Sequence, residues 1–264
     1  MARLFGTDGV RGEANIGLCP ELAYRMGRAA ALYFGEKAEG ERRPVIVIGR
    51  DTRLSGSMFE NALAAGICSA GGQVVQIGVI PTPGIAYLAQ QLGAVCGIVV
   101  SASHNPFGDN GIKFFGGDGY KLPDAVEDEI EKLVTAIEQE DIFTRSFGKN
   151  IGFVEHRPEL IERYIGYLRS TAACRLDGLR VVLDCANGAA SAVMPRLLEE
   201  LGCDLRVINK TPNGVNINDA CGSTHLDRLQ SAVLKYGADI GIAHDGDADR
   251  CLCVDEKGSV LDGD

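Results

Sequence analysis

The densest chemistry in this 264-residue chain sits in His244-Asp245-Gly246-Asp247-Ala248-Asp249-Arg250. On an extended backbone alternate residues fall on one side, so Asp245, Asp247 and Asp249 face the same way. Neighbouring carboxylates a few ångströms apart repel by roughly 3–4 kcal/mol at an effective dielectric near 20. Such a cluster calls for a cation, and an all-oxygen donor set selects Mg²⁺, Mn²⁺ or Ca²⁺ over zinc. An EF-hand is discarded although Glu256 stands where its closing Glu would. Arg250 takes the place of the required glycine, and strand-like runs replace the flanking helices.

A second candidate is Ser103, in Ser101-Ala102-Ser103-His104-Asn105-Pro106. The apolar run Val95–Val100 reads as a buried strand, and Pro106 forbids its simple continuation. Ligands of open α/β sheets bind just beyond the carboxyl ends of strands. A hydroxyl there is either a reacting group or a partner in a turn. Adjacent side chains diverge, so His104 is expected to orient the loop rather than form a Ser-His dyad.

Phe5-Gly6-Thr7-Asp8-Gly9-Val10-Arg11-Gly12 is not a P-loop. It is either a surface turn or a set of backbone amides and Arg11 around an anion. Lys113, between Ile112 and Phe114, should point away from the apolar face, to solvent or to a site. Two readings of the acidic loop remain: a structural turn, and the D-x-D of a haloacid-dehalogenase-like phosphatase. In that phosphatase Asp249 would replace the usual Thr or Val, and Ser103 would have no role.

Strands alternating with helices must position these groups. Helices are expected at 20–34, 57–70, 83–92, 123–139, 158–171, 191–201 and 225–236. Strands are expected at Val45–Ile48, Val74–Val79, Val95–Val100, Ile112–Phe115, Leu179–Asp184, Leu205–Ile208 and Ala238–Ala243. Asp109-Asn110-Gly111 reads as a turn. The pattern specifies an α/β fold: two consecutive α/β domains with mainly parallel, mixed sheets. The break falls in the polar stretch from Gly148 to Pro158, giving domains 1–154 and 155–264.

Composition narrows the partners. The chain is 45% hydrophobic and 23% charged with a net charge of -10, so nucleic acid and anionic membranes are not expected. Any bound phosphate must be held locally. Nine cysteines occur without a C-x-x-C, and no histidine stands at ligand spacing to a cysteine pair, which disfavours zinc. Only Cys251 and Cys253 lie close in sequence, on one face if they share a strand. Without a signal peptide or long apolar span, scattered thiols indicate a reducing cytoplasm.

Ser101–Pro106 together with Asp245–Arg250 resembles the joint signature of the α-D-phosphohexomutase family, nearest its bacterial amino-sugar branch. Phe5–Gly12, Gly49–Gly56, Asn213–Asn218 and Cys221–His225 support the resemblance along the whole chain. It implies that Ser103 carries a phosphoryl group and that Mg²⁺ is held by Asp245, Asp247, Asp249 and a phosphoserine oxygen. The substrate would be a hexosamine phosphate, turned over through a bisphosphate. The pattern places Arg11, Lys113 and Arg250 as cations at the site, with Lys113 as general acid/base. It also implies a homodimer through the first domain. Family members have four domains, and the chain's last residues, Asp262-Gly263-Asp264, fall where the second would pass to the third. The two-domain portion is therefore expected to hold phosphoryl donor and metal but not sugar selection. Its rival uses are another phosphohexomutase activity, or a dimerisation or partner-binding piece without catalysis.

Overall fold

A computed structural model describes residues 3–36, 43–141, 143 and 145–261, so the terminal Asp262–Asp264 lies outside the described residues. In chain order the first unit comprises β1 (Val10–Glu13), α1 (Pro20–Glu36), β2 (Val45–Arg50), α2 (Gly56–Ser69), β3 (Gln73–Val79), α3 (Thr82–Gln91), β4 (Cys96–Val100), β5 (Asp109–Gly116), α4 (Asp124–Gln139) and β6 (Phe153–His156). The sheet order is β1-β5-β4-β2-β3-β6. β4, β2, β3 and β6 run parallel, while β5 and β1 are antiparallel to their neighbours.

Strands buried on both faces need apolar residues in both directions, which explains the unbroken runs at Val45–Ile48 and Cys96–Val100. Ile46, Ile48, Ile98, Val100, Ile112 and Phe114 meet α1, α2 and α4 on one face. Val47, Val75, Ile77 and Val99 meet α3 on the other.

The second unit continues with α5 (Ile161–Thr171), β7 (Arg180–Asp184), α6 (Met194–Glu200), β8 (Asp204–Ile208), α7 (Asp227–Tyr236), β9 (Ile240–His244), β10 (Cys251–Asp255) and β11 (Val260–Leu261). Its sheet order is β11-β10-β9-β7-β8, with β9, β7 and β8 parallel. α7 covers the face of Val182, Ala243 and Val254, and α6 covers Val181, Leu183 and Cys185. Mixed, mainly parallel sheets are as the sequence pattern specifies.

Four local features differ from expectation. Asp109-Asn110-Gly111 opens β5 instead of turning, because Val10–Glu13 lies antiparallel beside it and supplies the ladder. Gly111 is required there: a β-carbon would stand 2.6 Å from the Ser101 carbonyl oxygen. The 191–201 helix starts only at Met194, after a 3₁₀ turn over Ala189–Ala192, with Pro195 in the first turn where no amide donor is missed. Position 154 falls inside β6, which bonds to β3, so the first sheet extends to His156. α5 and the 3₁₀ turn before it also pack on that sheet and on α3: Leu160, Tyr164 and Ile165 join Val47, Val75 and Ile85 in one cluster.

Candidate active site

The carboxyl end of β4 releases the chain into Ser101-Ala102-Ser103, all buried. Ser103 adopts φ 54°, a left-handed conformation that costs a residue bearing a β-carbon. Its amide donates to Ser101 Oγ at 2.9 Å, and Ser101 Oγ donates to Asp51 Oδ2 at 2.6 Å. Its carbonyl accepts from Arg53 Nη2 and from Asn218 Nδ2, each at 2.9 Å. The side chain is thereby aimed across the boundary between the sheets.

What it meets is the loop after β9. Ser103 Oγ donates to Asp245 Oδ2 at 2.6 Å and accepts from Arg250 Nη2 at 2.6 Å. Gly246 lets the two loops touch, since a β-carbon there would lie 2.6 Å from the Ser103 carbonyl oxygen. One ligand atom from each of Asp245, Asp247 and Asp249 lies within 4.8 Å of the others. Asp247 Oδ2 accepts from Lys113 Nζ and Thr82 Oγ1, both at 2.7 Å, and Lys113 Nζ also stands 3.5 Å from Asp249. Asp247 Oδ1 is buried and has no hydrogen-bond partner. Three converging carboxylates and one orphaned oxygen fit a hard divalent cation.

The electrostatics match this crowding. Burial and the Asp247 carboxylate push Asp249 above the usual range. Burial works in the same direction on Asp247, but Lys113 and the Thr82 hydroxyl outweigh it and hold that carboxyl below its ordinary value. Burial, with the Arg250 and Arg11 guanidiniums, lowers the His104 imidazole.

Every site residue named from the sequence is near this point. Lys113 leaves the Ile112 and Phe114 face as expected and reaches the acidic loop. Arg250 bridges three groups, since its Nη2 also donates to His104 Nδ1 and lies 3.0 Å from Asp245. Arg11, on β1, lies 3.4 Å from Asp8 and leaves its buried Nε without a partner. Asp8, Arg11, Ser103, His104, Lys113, Asp249 and Arg250 line a cavity of about 370 Å³.

Sequence reasoning missed Thr82, Asn218 and the Asp51–Arg53 pair. The signals for Asp51 and Arg53 were the Gly49–Gly56 stretch of the resemblance, which gave them no individual role, and their place just beyond the carboxyl end of β2, beside the Ser103 loop. Asn218 closes the Asn213–Asn218 stretch of the same resemblance, which gave it no role, and Thr82 acts across the boundary, which no local pattern reports.

Residues 2–141 match the sequence model for phosphoglucomutase/phosphomannomutase, alpha/beta/alpha domain I, and residues 162–258 match that for domain II. The chain belongs to the phosphoglucomutase/phosphomannomutase family. That membership removes the dehalogenase-like alternative. Phosphoglucosamine mutases of Moorella thermoacetica and Symbiobacterium thermophilum are each 56% identical to it over its whole length. The chain spans 58% of the length of these two relatives. Among solved family structures, a phosphoglucomutase/phosphomannomutase family protein from Burkholderia thailandensis superposes with a TM-score of 0.81 at 26% identity. That match covers 98% of this chain and 56% of the other. A phosphomannomutase, described as putative, from Thermus thermophilus gives 0.81 at 25% identity, covering 98% and 58%. Among the described residues no helix is long and apolar enough to cross a membrane, and all nine cysteines are free.

Proposed function

We propose that this chain is the phosphoryl-carrying part of a phosphoglucosamine mutase, which interconverts glucosamine 6-phosphate and glucosamine 1-phosphate. The product would feed UDP-N-acetylglucosamine and cell-wall precursor synthesis in a reducing cytoplasm. The observation that carries the reading is the Ser103 hydroxyl, 2.6 Å from both Asp245 and Arg250, beside a carboxylate triplet with an unpartnered buried oxygen. Relatives named for this activity, 56% identical over the full chain, support the choice of sugar.

Asp245, Asp247 and Asp249, with an oxygen of phosphorylated Ser103, would hold Mg²⁺, which when bound neutralises charge on the transferring phosphoryl group. A serine phosphomonoester resists water, so it stores the group between turnovers. In the forward half-reaction the Oγ–P bond breaks as a bond from phosphorus to a sugar hydroxyl oxygen forms. The hydroxyl proton leaves the sugar, and the serine oxygen ends protonated. Lys113, the amine at the edge of the cavity, is assigned that proton relay. The resulting bisphosphate turns over, and its other phosphoryl group returns to Ser103.

Arg11 and Arg250 supply donors to phosphate oxygens, and His104 holds Arg250 in place through Nδ1. The unpartnered Arg11 Nε suits this role, since a buried donor without a partner is costly until an anion arrives. Sugar selection is assigned to parts of the longer relatives that this chain does not span, and assembly to a homodimer through the first unit.

Intact-mass measurement of freshly purified chain should reveal a population one phosphoryl group heavier, mapped to Ser103 and absent in Ser103→Ala. Phosphate mapped to another residue refutes the nucleophile. A protein completed with the missing portion should turn over glucosamine phosphate in preference to glucose and mannose phosphates. Preference for either of the latter replaces the sugar assignment.

A further inference from the structure

Arg53 is 1% exposed and touches none of the reacting groups, yet its guanidinium is spent on one loop. It donates to the carbonyls of Ser103 (2.9 Å), Asn105 (2.8 Å), Asp109 (3.0 Å) and Pro106. Its Nε pairs with Asp51 Oδ2 at 2.8 Å. Asp51 accepts in turn from Ser101 Oγ, which receives the Ser103 amide. The amide and the carbonyl of Ser103 thus both end on one buried ion pair. A planar fork of five donors suits carbonyls fanned around it, whereas an ammonium on a flexible stem does not.

We propose that Arg53, backed by Asp51 and Ser101, is the positioning residue that keeps Ser103 in its left-handed conformation. From that conformation Oγ reaches Asp245 and Arg250, so Arg53 governs the rate of phosphoryl transfer and not the affinity for phosphosugar. This rests on the phosphoserine reading. A residue serving only general stability would not show such a split. Strained backbone at a reacting group persists only where its surroundings over-determine it. Asn218 shares the carbonyls of Ser103 and Asn105, but of the two side chains only Arg53 also holds those of Pro106 and Asp109 and reaches the Ser103 amide through Asp51 and Ser101.

The test uses the protein completed with the portion its longer relatives carry, with a hexose 1,6-bisphosphate as phosphoryl donor, following Ser103 phosphorylation by intact mass and loop opening by amide hydrogen exchange. Arg53→Lys and Arg53→Met should lower the maximal transfer rate about 100-fold, as expected for a displacement near 1 Å. The half-saturating donor concentration should stay within about threefold. Exchange over residues 101–110 should rise at least about tenfold. Should the Arg53 variants fail to fold, Ser101→Ala removes one hydroxyl of the same network and should change both readouts in the same direction, less steeply.

An Arg53→Lys chain with unchanged rate and unchanged loop exchange overturns the proposal, since charge alone would then suffice. Failure of the underlying reading looks different. The unaltered completed protein would take up no phosphate on Ser103 while loop exchange still rose in the variants, which keeps the clamp and discards the phosphoserine.

Discussion

Ser103 has buried partners for both its amide and its carbonyl, whereas Asp247, equally buried, keeps one carboxylate oxygen with none. The loop after β4 is completed by protein: Asp51, Arg53 and Ser101 from the first unit and Asn218 from the second. The loop after β9 concentrates three acids against Lys113 and Arg250 and stays incompletely satisfied. One loop presents a hydroxyl in a fixed direction, and the other reserves its unmet coordination for a cation. The loops bond directly, Ser103 Oγ donating to Asp245 and accepting from Arg250. Each unit adds a tie to the other's loop, from Thr82 to Asp247 and from Asn218 to the Ser103 carbonyl. Preorganisation on one side and stored repulsion on the other together suit a site that must grip a highly charged group and then release it.

The largest expected effect tests the fixed loop. Ser103→Ala should abolish covalent phosphate entirely, with a Tm change of only a few degrees, because only the two hydrogen bonds of one hydroxyl are lost. The acidic loop comes next. Asp247→Asn should weaken Mg²⁺ affinity roughly 100-fold by titration calorimetry, and unchanged affinity would remove this loop from the site. Lys113→Met should slow transfer to Ser103 by about 10–100-fold in quenched time courses. An undiminished rate would reassign the proton relay.

The smallest effect goes to the heart of the contrast. Asp249→Asn relieves like-charge repulsion in a partly exposed group, so without divalent ions it should raise Tm by about 1–2 °C. With saturating Mg²⁺ the order should reverse, since the unaltered chain gains more binding energy. A variant less stable under both conditions would mean that the triplet is a structural turn.

The alternating apolar runs and the Asp245–Asp249 spacing made both units and the chemical core of the site legible from residues alone. Lys113 was legible too, because strand alternation fixes which face it leaves. Other features were hidden for identifiable reasons. Asn110 and Gly111 carry turn chemistry, but partner strand Val10–Glu13 overrides a local preference that only long-range pairing can overrule. Phe153–His156 is a short, mostly exposed edge strand with no apolar alternation to announce it. Arg53 reads as one charge among many in Gly49-Arg50-Asp51-Thr52-Arg53, and its role comes from four carbonyls about fifty positions away. Thr82 and Asn218 matter only because two sheets meet.

The central claim is that phosphorylated Ser103 and the Asp245–Asp247–Asp249 triplet share one divalent ion. Phosphorus NMR of the phosphorylated chain during a Mn²⁺ titration tests it directly. Paramagnetic broadening should erase the phosphoserine line at stoichiometric Mn²⁺, and Asp247→Asn should restore it. A phosphoserine line that stays sharp while the triplet holds Mn²⁺ would contradict the account.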